Sequence, residues 1–120
     1  MAAAFPAAFS AAFSGLELLA TAVVVLDGGH VVRYANQAAE NLLGAGVRSL
    51  IGQRFPELFS ESQRLEAMLT EALAAHWSYR ARTVSYERPG REPLPLSCVV
   101  TPVEAPGALL LAELRPIQEQ

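Results

Sequence analysis

The 120-residue chain contains no lysine, and Asp27 is its only aspartate. Its nine strongly basic residues are therefore all arginines, and they are scattered along the sequence. With a net charge of −3 and no basic stripe, the chain lacks the electrostatic footprint of a nucleic-acid binder. An alanine- and arginine-rich composition matches a GC-rich coding sequence and by itself implies no chemistry. One cysteine, Cys98, excludes an internal disulfide and fits a reducing compartment. No stretch reaches ~20 strongly apolar residues without a break, so no membrane-spanning helix and no membrane partner are expected. The apolar start, MAAAFPAAFSAAFSGLELLA, lacks the positive region of a secretory signal, because the first arginine is Arg33. A cytoplasmic location is the expectation. A glycine-rich phosphate loop of either common spacing is also missing. Cys98 lies in a β-forming run with no histidine close in sequence, so it reads as a buried, inert thiol.

What is present suits one domain with one core. Hydrophobic residues make up 52% of the chain and charged residues 18%. A chain of this length buries roughly two-thirds of its unfolded surface, enough to stand without disulfides or metal. In the N-terminal region Phe5, Phe9 and Phe13 recur every four residues, and Leu16 and Leu19 continue that face. This spacing predicts an amphipathic helix with a large apolar stripe. The stripe either lies on its own domain or pairs with a second copy of the chain. Residues 1–15 are read as this helical extension.

The run TAVVVLDGGHVVRYAN is the clearest local signal. Two β-branched segments, about 22–27 and 30–35, flank Asp27-Gly28-Gly29, where Gly-Gly supplies positive φ for a tight hairpin. Asn36 then suits a helix N-cap, since its side-chain oxygen can accept from a free N–H two or three residues on. Ala39, Leu42 and Leu43 share one face of the helix it opens, which Gly44 or Gly46 can end. VRSLIGQRFPELF reads as short helical turns. A longer helix follows, capped by Ser60 or Ser62 and running to about Ala75, with Leu65, Met68, Leu69, Ala72 and Leu73 on its apolar face. WSYRARTVSY, LPLSCVVTPV and ALLLAEL are three strands joined by ERPGREP and EAPG turns.

The order helix, β-β, short helices, β-β-β is α+β. The last three strands form an antiparallel meander. The first pair must join the same sheet to bury its edge and apolar face, with the intervening helices over one side. That arrangement leaves room for an interior pocket and presents an opposite sheet face.

In this order and spacing the residues resemble a PAS domain. The hairpin at Asp27, then VVRYANQAAENLLG, then LIGQRFPELF with its Ile51-Gly52 pair, carry the resemblance across residues 16–116. The LLATAVVVLD opening and the LLLAELRPIQEQ exit are further similar to the N-terminal sensor region of bacterial nitrogen-regulation histidine kinases. The resemblance implies a five-stranded antiparallel sheet with helices on one face and an extra N-terminal helix. It also implies a non-catalytic sensor and dimerisation module of a two-component system. Residues 117–120 would then begin a linker to a C-terminal kinase core. The chain itself has no phosphoacceptor or ATP-binding motif, so it is not expected to be an enzyme.

Under the same resemblance Phe5, Phe9, Phe13, Leu16 and Leu19 become the expected homodimer interface. A small-molecule ligand remains open, and a haem- or flavin-binding PAS sensor in another signalling protein is the alternative function. Haem sensors of this family usually present a histidine from the long helix, and His76 lies just past its expected end. Trp77 and Tyr79 could stack on a flavin, but at a strand start they also suit a core or interface. GQRFPELF carries Gln53 where flavin photoreceptors have their reactive cysteine, which excludes the photochemical adduct. No cofactor and no metal are expected. Asn36 is assigned a structural role as the helix cap.

Overall fold

The computed structural model describes residues 20–75, 80–103 and 109–117. Five strands are formed: β1 (Ala22–Leu26), β2 (Val32–Ala35), β3 (Arg80–Tyr86), β4 (Leu94–Val103) and β5 (Leu109–Pro116). Between β2 and β3 lie α1 (Gln37–Leu43), α2 (Val47–Leu50), a 3-10 turn (Phe55–Leu58) and α3 (Ser62–Ala75). The strands make one antiparallel sheet in the order β2-β1-β5-β4-β3. The closing contact is between the first and last strands, with Ala22 opposite Leu114 and Leu26 opposite Leu110. Hairpin and meander thus fuse into a single sheet, because β5 satisfies the edges of both β1 and β4.

Strand alternation sorts the side chains. Ala22, Val24 and Leu26 of β1 point to the same side as Leu96, Cys98 and Val100 of β4 and Leu110, Ala112 and Leu114 of β5. The helices cover this side. Leu65, Met68, Leu69 and Ala72 of α3 pack there with Leu43, Leu50, Phe55 and Phe59. The Phe55 and Phe59 rings meet edge-on, centroids 4.9 Å apart. The space between helices and sheet is occupied by these side chains, and Phe55, Leu65, Leu69, Leu96 and Leu110 are each essentially inaccessible.

Two local expectations are corrected. In the hairpin turn the left-handed residue is His30, with φ of 66°, and neither Gly28 nor Gly29 has positive φ. The loop is three residues long: His30 N donates to Asp27 O at 2.9 Å and Asp27 N to Val31 O at 3.0 Å. This geometry demands its left-handed residue at the third loop position, one past the glycines. Asp27 Oδ1 stabilises it by accepting from Gly29 N and Val31 N, while Oδ2 accepts from Arg33 Nε at 3.0 Å. The second correction concerns α3. Ser62 is its first residue, and Ser60 is engaged elsewhere, donating its hydroxyl to Glu87 Oε2 at 2.8 Å. Glu61 precedes the helix, and its carbonyl accepts from Arg64 N and Leu65 N.

Candidate functional site

Asn36 sits where β2 becomes α1, and its side chain is fully buried. Oδ1 accepts from Ala39 N at 2.9 Å, which caps α1, and also from Val23 N at 3.0 Å. Nδ2 donates to Thr21 O at 2.9 Å. Its backbone adds a bond from Asn36 N to Val23 O at 3.0 Å. One side chain thus ties the start of β1, the end of β2 and the first turn of α1. The sequence pattern points to the cap; the two links to β1 are tertiary and leave no local trace. Gly44 closes α1 in the left-handed conformation, φ 67°. The Tyr86 hydroxyl then donates to Leu43 O at 2.9 Å, holding that helix end to β3.

The opposite side of the sheet carries a second apolar cluster. Val23 and Val25 of β1 are buried there, with Tyr34 of β2 and Leu109 and Leu111 of β5 packed against them. Glu113 lies on this same side, opposite Val23 on one neighbour and Val99 on the other. Arg115 and Pro116 at the end of β5 line a groove of about 670 Å³ together with Ala20, Thr21, Ala38 and Leu42. The point where the chain enters the sheet and the point where it leaves are therefore side by side against α1.

Of the residues expected to form a site, Asn36 is described. Phe5, Phe9, Phe13, Leu16 and Leu19 lie outside the described residues, as do His76, Trp77 and Tyr79. Cys98 is buried, and burial pushes its thiol up to about 12, far from reactive thiolate character. Among the described residues, no group of three or more His, Cys, Asp and Glu is placed to hold a metal ion. Among them, too, no helix is long and apolar enough to cross a membrane.

Sequence reasoning missed one cluster. The His30 side chain is buried, and Nδ1 lies 3.8 Å from Glu66 Oε2 on α3. That carboxylate accepts from Arg54 Nη2 at 2.6 Å. Burial pushes the His30 pKa below its ordinary 6.5; Glu66 pulls it up, Arg54 pushes it down, and Asp27 pulls it up. The hydrogen bond from Arg54 lowers the Glu66 carboxyl below its usual range. No local signal could have found this set, because its members come from a hairpin, a loop and a helix.

The profile of the PAS fold family matches residues 16–120. The chain belongs to the PAS fold family. It is 30% identical to the PAS domain of nitrogen regulation protein NR(II) from Vibrio parahaemolyticus, with a TM-score of 0.70 over 87% of this chain and 95% of that one. It is 34% identical over 106 residues to the sensory histidine kinase/phosphatase NtrB of Vibrio alginolyticus, and 30% identical over 105 residues to NtrB of Escherichia coli O157:H7. Each match spans 88% of this chain but only 30% and 29% of those kinases. The PAS domain thus resembles that of NtrB sensor kinases, within two-component signalling. A PAS domain from Colwellia psychrerythraea, 14% identical, superposes with a TM-score of 0.78 over 93% of this chain and shares the fold.

Proposed function

We propose that this PAS domain is the non-catalytic sensor and dimerisation module of a cytoplasmic, NtrB-like nitrogen-regulation histidine kinase, relaying its state to a kinase core through the segment after β5. The observation that carries the reading is the 34% identity to a sensory histidine kinase/phosphatase across 88% of the chain. The adjacency of β1 and β5 gives the relay a physical route. Whatever enters at Thr21 and whatever leaves at Pro116 share one groove, so a change in how the first is packed alters the direction of the second.

In this reading residues 1–15 are an extension, residues 16–116 the PAS domain and residues 117–120 the start of a linker. The stripe Phe5, Phe9, Phe13, Leu16 and Leu19 is the homodimer interface, packing against the sheet face of Val23, Val25, Leu109 and Leu111 or against its counterpart from a second copy. A change in that packing shifts the relative angle of the two exiting linkers, a two-state element biased at an interface. The domain works without haem or flavin, a reading supported by the leucines and phenylalanines that fill the space under the helices.

Sedimentation of the chain over a range of concentrations tests the dimer, with the Phe9→Asp, Phe13→Asp double variant as the interface control. An absorbance spectrum of freshly purified protein tests the cofactor reading: only aromatic absorption is expected, and a Soret or flavin band would overturn it.

A further inference from the structure

His30 is an unusual choice for its position. At φ 66° its backbone lies in the left-handed region, where a side chain is disfavoured relative to glycine. Its backbone is fully engaged, N to Asp27 O and O to Phe55 N, both at 2.9 Å. Its side chain is only 6% exposed, yet neither Nδ1 nor Nε2 has a hydrogen-bond partner. A neutral imidazole tolerates such a seat at the cost of unmade bonds, but an imidazolium does not.

The charges facing it come from each neighbouring element. The hairpin brings Asp27, which already holds Arg33 at 3.0 Å. The loop brings Arg54, which also lies 3.5 Å from Glu57 of the 3-10 turn. Helix α3 brings Glu66. Glu66 Oε2 is the anion nearest to His30, and Arg54 occupies it. The same loop is laced to the hairpin by backbone bonds from Val32 N to Gln53 O and from Gly52 N to Val32 O, both 2.9 Å. Glu66 therefore anchors the loop to α3 through Arg54, and the backbone bonds carry that anchorage on to the hairpin.

We infer that His30, Arg54 and Glu66 form an acid-sensitive latch, in which a proton taken from solvent by the His30 imidazole draws Glu66 away from Arg54 and loosens the seat of the β1–β2 hairpin on α3. The latch stands apart from the self-association proposed above and gives the domain a chemical input of its own.

The test is an imidazole NMR titration of the full chain from pH 7.5 to 5, with the His30 signal assigned by its loss in His30→Asn. The expected result is a His30 midpoint below 6.5, with the Arg54 and Glu66 amide signals moving at that same midpoint. Glu66→Gln, which removes the nearest anion, lowers the midpoint further. His30→Asn abolishes the Arg54 and Glu66 shifts. In parallel, the unfolding constant of the unaltered chain rises as pH falls below 6.5, by at most about tenfold per pH unit for one such group, and this rise is absent in His30→Asn. Should the asparagine variant not fold, His30→Gly suits the left-handed backbone and serves the same purpose. A midpoint at or above 6.5, or Arg54 and Glu66 signals that ignore the His30 proton, would overturn the latch.

Discussion

The two sides of the sheet use apolar residues differently. Under the helices, Phe55, Leu69, Leu96 and Leu110 belong to one interlocked core, and the fully buried Asn36 beside it has both side-chain polar atoms bonded. On the other side Val23 and Val25 form a small separate cluster with Tyr34, Leu109 and Leu111, and the carboxylate-bearing Glu113 stands on the same side. The first side holds the fold together. The second is the side that the proposed dimerisation assigns to the N-terminal stripe. A lesion on the helical side should therefore cost stability, and a lesion in the N-terminal stripe should cost association.

The largest expected effect sharpens the first half of that contrast. Phe55→Ala empties a fully buried aromatic site and should destabilise the chain by about 3–5 kcal/mol in urea titrations. Asn36→Ala should cost about 2–4 kcal/mol, because it removes the α1 cap and strands Val23 N–H and Thr21 C=O. Asn36→Ser keeps a capping oxygen and should recover about 1 kcal/mol of that loss. If serine restored everything, the links to β1 would be idle and the knot would be a simple cap.

Acidification comes next. The folded-state pKa of His30 is depressed, so the unfolded chain binds the proton more readily just below 6.5. The stability from this group is complete above pH 6.5 and is lost as pH falls from there toward the depressed value. Denaturation midpoints at pH 7.5 and 5.5, compared with those of His30→Asn, read the difference directly. The smallest effect belongs to the surface. Arg64 and Glu61 are both largely exposed at 3.7 Å, and Arg64→Ala should change stability by less than about 0.5 kcal/mol.

Much of this architecture is legible in the sequence. The β-branched runs around Asp27, the Asn36 cap position, the apolar spacing from Leu65 to Ala72 and the three alternating strands all follow from local periodicity and turn chemistry. The union of hairpin and meander follows from the need to cover an edge. What was not legible depends on partners distant in the chain. Gly28-Gly29 looked like the left-handed pair, but the three-residue loop moved that conformation to His30. Ser60 looked like a cap, but Glu87, brought near by β3, took its hydroxyl. His30, Arg54 and Glu66 meet only once β2 is laced to the loop after α2.

Sedimentation velocity of the 120-residue chain beside its Phe9→Asp, Phe13→Asp variant most directly tests the division of labour between the two sheet sides. A concentration-dependent dimer is expected for the unaltered chain and a monomer for the variant, with thermal midpoints that differ little when both are measured as monomers at high dilution. A chain that stays monomeric at every concentration, or a variant that dimerises as tightly as the parent, would contradict it.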